Sequence, residues 1–181
     1  MPSSCALTLD DTQHTFVTLI EQHRGILFKV ARAYGRSDHA TEDLIQEIAC
    51  HLWQAFPGYD PTRRFSTWMY RIALNVAISQ RRRERRSDRH FEPLDSGVVD
   101  IHDPRGTNVE GQQQIELLNQ VIASLAPLDR AVVLLYLDQC STREISEVLG
   151  LSESNVTTKL SRLKARIREQ LSSSSPTSPQ L

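Results

Sequence analysis

Cationic and hydrogen-bonding side chains are concentrated between residues 62 and 90, which contain nine arginines and only two acidic residues. Five of these arginines fall within the six positions from Arg81 to Arg86. The preceding segment, 65–78, combines apolar residues with hydroxyl, amide and guanidinium groups at helical spacing. Such groups bind phosphates and the edges of unpaired bases. The segment therefore predicts nucleic-acid binding, and the alternative is a core helix with a solvated, charged end.

The same segment divides into an apolar face and a polar face. Its apolar residues recur every three or four positions: Phe65, Trp68, Met69, Ile72, Ala73 and Val76. Phe65 and Trp68 lie on this apolar seam, so core packing explains them better than base stacking. Tyr70 lies off the seam and is expected to be an exposed ring. Any binding function should belong to the polar face, with Arg71, Asn75 and the arginines beyond.

Residue types that support catalysis or metal binding are scattered along the chain. The six histidines are dispersed, and the three cysteines form no C-x-x-C motif. Cys50 and His51 are neighbours that would point about 100° apart on a helix, which makes a poor chelate. The sequence has no glycine-rich phosphate loop and no nucleophile with a recognisable base. We therefore expect no catalytic residue, no metal site and no cofactor, and the chain is not expected to be an enzyme.

A stripe of acidic and amide side chains precedes the arginine-rich segment. Glu42 and Gln46, like Asp43 and Glu47, are i, i+4 pairs on one polar face of a predicted helix. Like charges stacked in this way mildly destabilise a helix. The stripe is either a solvated surface or a docking site for a basic partner.

Residues 141–169 have the pattern of a helix-turn-helix. Ser141 and Glu144 have capping-box spacing, Gly150 supplies the turn, and Ser152 caps a longer second helix. The outward face of that helix carries side chains that suit base edges and phosphates. These candidate DNA contacts are Ser152, Ser154, Asn155, Thr157, Thr158, Lys159, Arg162 and Arg166. A helical hairpin with a solvated face is the alternative, although the caps, the turn and the local positive charge favour DNA binding.

The elements that position these groups are predicted to be helices throughout. Helical periodicity covers residues 15–34, with a break near Gly25, then 39–55, and then the segment from Phe65. Between about residues 87 and 111 the periodicity stops, and prolines and glycines interrupt an acidic stretch that is typical of a linker. The predicted fold class is all-α, with two small helical domains joined by a flexible linker and a helix-turn-helix in the C-terminal domain.

The net charge of −1 conceals a strong segregation of charge. Residues 62–90 sum to +7 and residues 153–170 to +3, whereas residues 91–129 sum to −6. Two basic islands in an acidic background predict two separate anion-binding surfaces. An odd number of distant cysteines indicates a reducing compartment, and the longest apolar run is too short to span a bilayer. The N-terminus also lacks a secretory signal, so we expect a cytoplasmic protein without membrane insertion.

The order of these motifs resembles one known family. Asp43-Leu-Ile-Gln46-Glu47, Trp53, Phe65-Ser-Thr-Trp68, Ile72-Ala-Leu-Asn75, an arginine-rich sequence, a linker and a helix-turn-helix follow one another along the chain. This arrangement is similar to the extracytoplasmic-function (ECF) sigma factors of bacterial RNA polymerase over about residues 15–171. The resemblance implies a disordered N-terminus (1–14), a region 2-like domain (15–88), an acidic linker (89–111), a region 4-like domain (112–171) and a disordered tail (172–181).

The resemblance also implies a function and a role for each motif. Such a factor binds core RNA polymerase and directs promoter-specific transcription initiation at minus-ten and minus-thirty-five elements. The implied polymerase-binding residues are Glu42, Asp43, Gln46 and Glu47. The implied contacts with the minus-ten element are Arg63, Arg64, Arg71, Asn75, Arg81, Arg82 and Arg83. The helix-turn-helix would read the minus-thirty-five element, and Asn155 stands where the family often has glycine.

Two further expectations concern partners. An anti-sigma factor is a possible partner by resemblance to the family, and no residue of the chain identifies one. The alternative function is a stand-alone helix-turn-helix regulator that never contacts polymerase. That alternative accounts for the C-terminal domain but leaves the acidic stripe and the arginine-rich helix without a role.

Overall fold

The computed structural model of the protein describes residues 9–87 and 109–174, and within these ranges all regular structure is helical. The elements are α1 (Leu9–Tyr34), α2 (Asp38–Ala55), a short 3-10 turn (Phe56–Gly58), α3 (Phe65–Ser87), α4 (Val109–Ser124), α5 (Pro127–Leu137), α6 (Thr142–Leu149) and α7 (Glu153–Ser174). The prediction of an all-α chain with a C-terminal helix-turn-helix is confirmed.

Helices α1, α2 and α3 form the first bundle. The side chain of Ser37 caps α2 by accepting a hydrogen bond from the Ala40 amide at 3.2 Å. Leu44, Ile48 and Leu52 follow one another on the inner face of α2 and are buried. Because residues four positions apart share a helical face, this inner seam turns the acidic stripe of α2 outward.

Helices α4 to α7 form the second bundle, which is built around α5. The stretch from Ala131 to Leu135 is buried, as its unbroken apolar sequence requires. Ile145 and Val148 of α6 and Val156 of α7 complete the same core. Their burial fixes the relative orientation of the two helices of the helix-turn-helix.

Several predicted element boundaries were wrong by a few residues. Helix α1 begins at Leu9 and passes through Gly25 without a break, so residues 9–14 are helical rather than disordered. Helix α4 begins at Val109, within the predicted linker, and α7 extends to Ser174, beyond the predicted start of the tail. These helix ends carry few apolar residues, so periodicity does not reveal them. The remainder of the predicted linker lies outside the described residues.

The two bundles pack against each other and share one continuous apolar core. Helices α5 and α6 lie against α3. The Tyr34 hydroxyl, at the end of α1, donates a hydrogen bond to the Pro127 carbonyl at 2.6 Å. Arg130 enters the same junction from α5 and donates to the Ala33 carbonyl. The sequence had given no indication that the two domains are in contact.

Candidate nucleic-acid interface

The loop between α2 and α3 is held in shape by its own hydrogen bonds. The Tyr59 hydroxyl donates to the Arg63 carbonyl at 2.7 Å. The Asp60 carboxylate accepts from the Thr62 hydroxyl at 2.7 Å and from the Thr62 amide at 3.0 Å. These hydrogen bonds from Thr62 lower the pKa of Asp60. The loop therefore presents the exposed side chains of Arg63 and Arg64 from a defined backbone.

An aromatic cluster lies beneath this loop. Tyr59 packs on Phe65 and Trp68, with ring centroids 5.4 Å and 5.1 Å apart. Phe65 is buried, and Trp68 is half-buried against the core. The prediction that these two rings pack the core is confirmed. They anchor the start of α3 to the loop.

The arginine-rich half of α3 is divided among different faces of the helix. Arg71, Asn75 and Arg82 are exposed and fall on one stripe, because their spacings of four and seven residues return to the same side of a helix. Arg81 lies on another side, half-buried, with a guanidinium nitrogen 2.9 Å from the Glu84 carboxylate. Arg83 faces α2, where it lies 3.8 Å from the Glu47 carboxylate. The structure thus brings together Arg71, Asn75 and Arg82 and separates Arg81 and Arg83 from them.

The expectation that Tyr70 is an exposed ring was wrong. Its side chain is only 3% exposed, because the second bundle covers this side of α3. The Tyr70 hydroxyl is buried and has no hydrogen-bond partner among the described residues. Periodicity within one helix cannot reveal burial by an element that is distant in sequence.

The acidic stripe on α2 is accessible to a partner. Glu42, Asp43 and Gln46 are exposed, whereas Glu47 is half-buried beside Arg83. Asp43 lies 3.6 Å from the ring of His39, one turn earlier on the same helix. The stripe is therefore an exposed acidic surface on a helix whose opposite face packs in the core.

The predicted helix-turn-helix is present with its caps. The Ser141 hydroxyl accepts from the Glu144 amide at 3.2 Å, and the Glu144 carboxylate accepts from the Ser141 amide at 2.9 Å. Gly150 ends α6 with a φ of 66°, in the left-handed region that favours glycine. The Ser152 hydroxyl accepts from the Asn155 amide at 3.2 Å at the start of α7. The predicted capping box, turn and N-cap are confirmed.

Most of the predicted contact residues on α7 are exposed, as a groove-binding helix requires. These residues are Ser152, Ser154, Asn155, Thr157, Thr158, Arg162 and Arg166. Lys159 differs, because its side chain is half-buried and its ammonium donates to the Asp129 carboxylate at 2.7 Å. The structure thus pairs Lys159 within the second bundle and sets it apart from the exposed group.

An ion pair joins the two candidate DNA-binding surfaces. The guanidinium of Arg64 donates to the carboxylate of Glu144 at 2.6 Å. The hydrogen bonds from Ser141 and the pairing with Arg64 hold the pKa of Glu144 below its ordinary value. A second ion pair, Lys29 with Asp138, also bridges the bundles. In both pairs the first bundle supplies the cation and the second bundle the carboxylate.

Arg130 and Tyr34 are structural residues that the sequence reasoning missed. Arg130 is 4% exposed, and besides Ala33 it donates to the carbonyls of Ala123 and Leu125 at the end of α4. Burial lowers the pKa of Arg130 to about 10, so the guanidinium remains charged at neutral pH. Burial also raises the pKa of the Tyr34 hydroxyl above its ordinary value. The sequence feature that could have revealed Arg130 is its position as the single cation of the largely apolar helix α5.

Groups of side chains that could hold a metal ion do not occur among the described residues. Within the same residues, no helix is both long enough and apolar enough to span a bilayer.

Comparison with known proteins defines the class of molecule to which these surfaces belong. The family model "Sigma-70 region 2" matches residues 19–87, and the model "Sigma-70, region 4" matches residues 115–167. The first match covers the acidic stripe and the arginine-rich helix, and the second covers the helix-turn-helix. Sigma-70 regions 2 and 4 are therefore both present, in the order that the motifs had predicted.

Individual relatives and solved structures agree with this class. The chain is 27% identical over 169 residues to the ECF RNA polymerase sigma factor SigW of Bacillus subtilis, covering 88% of this chain and 90% of the relative. It is 27% identical over 172 residues to the RNA polymerase sigma factor CnrH of Cupriavidus metallidurans, covering 90% of each. Its fold matches CnrH in complex with the cytosolic domain of CnrY, with a TM-score of 0.63, 24% identity and coverage of 90% and 91%. It also matches the sigma factor RpoE in complex with the anti-sigma factor NepR from Bartonella quintana, with a TM-score of 0.71, 16% identity and coverage of 92% and 100%.

The chain belongs to the ECF sigma factors. It is a factor that binds core RNA polymerase and directs promoter-specific initiation of transcription at minus-ten and minus-thirty-five elements.

Proposed function

We propose that the acidic stripe of α2, formed by Glu42, Asp43, Gln46 and Glu47, is the surface that docks on core polymerase. Three of these side chains are exposed on a helix that the core holds in place. A rigid acidic face loses little conformational entropy when it meets a basic surface, and it favours rapid association. The exposure of Glu42, Asp43 and Gln46 on one face of α2 is the observation that carries the assignment.

The minus-ten element is bound by the loop before α3 and by the exposed stripe of α3. Arg63 and Arg64 provide cations at the loop, and Arg71, Asn75 and Arg82 continue along one side of the helix. Arginine suits the exposed phosphates of an opened strand, and the amide of Asn75 suits the edges of unpaired bases. Arg81 and Arg83 act more indirectly, because Glu84 and Glu47 engage their guanidinium groups.

The minus-thirty-five element is read by α7 in the major groove. Short polar side chains at the start of the helix, including Ser154, Asn155 and Thr158, suit base edges. Arg162 and Arg166 lie further along and suit phosphates. Lys159 contributes to the local positive potential while paired with Asp129.

The protein performs no catalysis of its own and works in the cytoplasm beside the polymerase. We infer that an anti-sigma factor regulates the protein, because its fold matches that of the sigma factor RpoE in complex with the anti-sigma factor NepR from Bartonella quintana.

In vitro transcription tests this function directly. Purified core polymerase would transcribe fragments of the source genome with and without the protein, and the transcript 5′ ends would be mapped. We expect new, discrete start sites that share two sequence elements at a fixed spacing. A stand-alone regulator would leave the core enzyme with the same non-specific starts, and that result would refute the proposed function.

A further inference from the structure

Asp129 and Lys159 form an ion pair between the first turn of α5 and the middle of α7. The ammonium of Lys159 donates to the Asp129 carboxylate at 2.7 Å, and the two side chains are 29% and 25% exposed. Asp129 is the acidic residue in the first turn of α5, and α5 packs against α7. The pair therefore holds one long side chain of α7 at a fixed place beside a second helix.

The position of Lys159 on α7 is that of a residue on the proposed reading face. This face is a stripe of residues spaced by four, three and four positions: Asn155, Lys159, Arg162 and Arg166. The other three members of the stripe are exposed, whereas Lys159 is half-buried. Lys159 lies between the short polar side chains proposed to read bases and the arginines proposed to bind phosphates. The ion pair thus constrains a cation at the centre of the proposed reading face.

The carboxylate of Asp129 changes which acceptors suit the Lys159 ammonium. An ammonium has three N–H donors, and the hydrogen bond to Asp129 uses one of them. A phosphate that accepted from another donor would bring its negative charge close to the carboxylate, and the two anions would repel each other. The neutral N7 and O6 acceptors of guanine in the major groove meet no such repulsion. The pair therefore favours a base edge over the DNA backbone.

A lysine held by an ion pair also recognises DNA differently from a free lysine. A free lysine is flexible and binds any phosphate within reach, which adds affinity without sequence preference. A held lysine can meet an acceptor at one point only, and it loses less conformational entropy when it does so. Holding Lys159 should therefore raise the sequence preference of α7 and lower its affinity for DNA of arbitrary sequence.

We propose that Asp129 is a positioning residue for recognition of the minus-thirty-five element, which holds Lys159 for the acceptor edge of a guanine and keeps it off the phosphates. This inference rests on the proposed function, because it concerns the same face of α7. Asp129 acts through Lys159 without contacting DNA itself. An ion pair at this degree of exposure contributes little to stability, so neutralising Asp129 should leave the fold intact.

Promoter binding by holoenzyme that carries full-chain variants tests this role. The probes are a duplex selected from a randomised library by the unchanged holoenzyme, its derivatives with each base pair of the minus-thirty-five element replaced in turn, and a duplex with that element scrambled. We expect Asp129→Asn to reduce discrimination at one G·C pair about three- to tenfold. It should also bind the scrambled duplex more tightly, with a salt dependence steeper by about one phosphate contact. Asp129→Glu restores the charge and should retain the preference.

A double-mutant cycle shows whether Asp129 acts through Lys159. Lys159→Ala should lose the preference for the same base pair. Adding Asp129→Asn to that variant should then change neither the base preference nor the salt dependence. The matched charge control is Glu169→Gln, because Glu169 is exposed on the C-terminal part of α7. It makes the same change of net charge and should leave the base preference as it is.

The outcomes separate this inference from the proposed function. An unchanged base preference in Asp129→Asn or Lys159→Ala, with circular dichroism showing an intact fold, would overturn the role of Asp129. So would an equal change in Glu169→Gln, or an effect of Asp129→Asn that persists without the Lys159 ammonium. If Asn155→Ala shifts the preferred bases while Asp129→Asn does not, only this inference fails. If neither variant shifts them, the proposed role of α7 is refuted together with it.

Discussion

Arg64 and Glu144 form an ion pair of 2.6 Å that connects the loop before α3 with the capping box of α6. The same Glu144 carboxylate accepts from the amide and the hydroxyl of Ser141. One carboxylate thus stabilises the start of the helix-turn-helix and pairs with a cation of the loop before α3. The two surfaces that we propose bind separate promoter elements are joined through this side chain.

The lowered pKa of Glu144 predicts a pH dependence of stability. A carboxyl whose pKa is lower in the folded chain stabilises the fold fully above its unfolded value, about 4.3, and loses this contribution as the pH falls through the folded-state pKa. Glu144→Gln should therefore lower the free energy of unfolding by less than about 1 kcal/mol at neutral pH. The difference should shrink towards zero in acid. Urea titrations at a series of pH values measure it, and a difference that grows in acid would contradict the assignment.

Gly150→Ala should destabilise the helix-turn-helix. A Cβ at this position meets no atom within 4 Å, so the cost comes from the φ of 66° and not from a clash. The left-handed conformation costs an alanine about 1–2 kcal/mol. The matched control is Gly25→Ala, which also meets open space but lies within α1, where alanine should stabilise by about 0.5–1 kcal/mol. Thermal unfolding measures both effects. If both variants melted above the unchanged chain, or both below it, the expected difference between the two glycines would be contradicted.

Arg130→Met should destabilise the chain more than any single surface change. The substitution keeps most of the side-chain volume but leaves the carbonyls of Ala33 and Ala123 without their buried donor. We expect a loss of about 2–4 kcal/mol in the free energy of unfolding. Arg162→Met, at an exposed position on α7, serves as the control and should change stability by less than about 0.5 kcal/mol. Equal denaturation midpoints for the two variants would show that Arg130 is not a structural donor.

Asn155 and Arg166 should differ in what they contribute to promoter binding. Asn155 lies near the start of α7, so Asn155→Ala should alter the preferred bases of the minus-thirty-five element, at a cost of about 1–3 kcal/mol. Arg166 lies about three turns beyond, so Arg166→Ala should weaken binding to all sequences alike and reduce the salt dependence. Binding of holoenzyme to a randomised promoter library measures both effects. A change of sequence preference in Arg166→Ala alone would reverse the two assignments.

Local pattern was sufficient to predict that the elements are helices and to predict the caps of the helix-turn-helix. Ser141, Glu144 and Gly150 act through neighbours within a few positions, so their roles are visible in the sequence. The buried seam of α2 follows in the same way from the spacing of Leu44, Ile48 and Leu52. The type of an element and its buried face were therefore predictable wherever they depend only on the spacing of residues within one helix.

Contacts between distant helices could not be predicted in this way. Tyr70 lies off the apolar seam of α3 and is nevertheless buried, because α5 and α6 cover a second side of that helix. Lys159 was a predicted DNA contact, but its ammonium donates to the Asp129 carboxylate of α5 at 2.7 Å. Arg64 pairs with Glu144 because the two domains pack against each other, and the residue spacing within a helix does not predict that packing. The roles of the site residues themselves remain predictions.

A matched pair of variants tests whether the acidic stripe of α2 delivers the protein to core polymerase. Asp43→Lys and Glu21→Lys make the same charge change at positions with side chains 57% and 66% exposed on helices of the first bundle. Promoter-specific transcription by reconstituted holoenzyme is the measurement, with circular dichroism as the check on folding. Asp43→Lys should reduce specific transcripts at limiting protein by about tenfold or more, whereas Glu21→Lys should retain them. Full activity of a folded Asp43→Lys variant, or equal losses in both, would contradict the docking assignment.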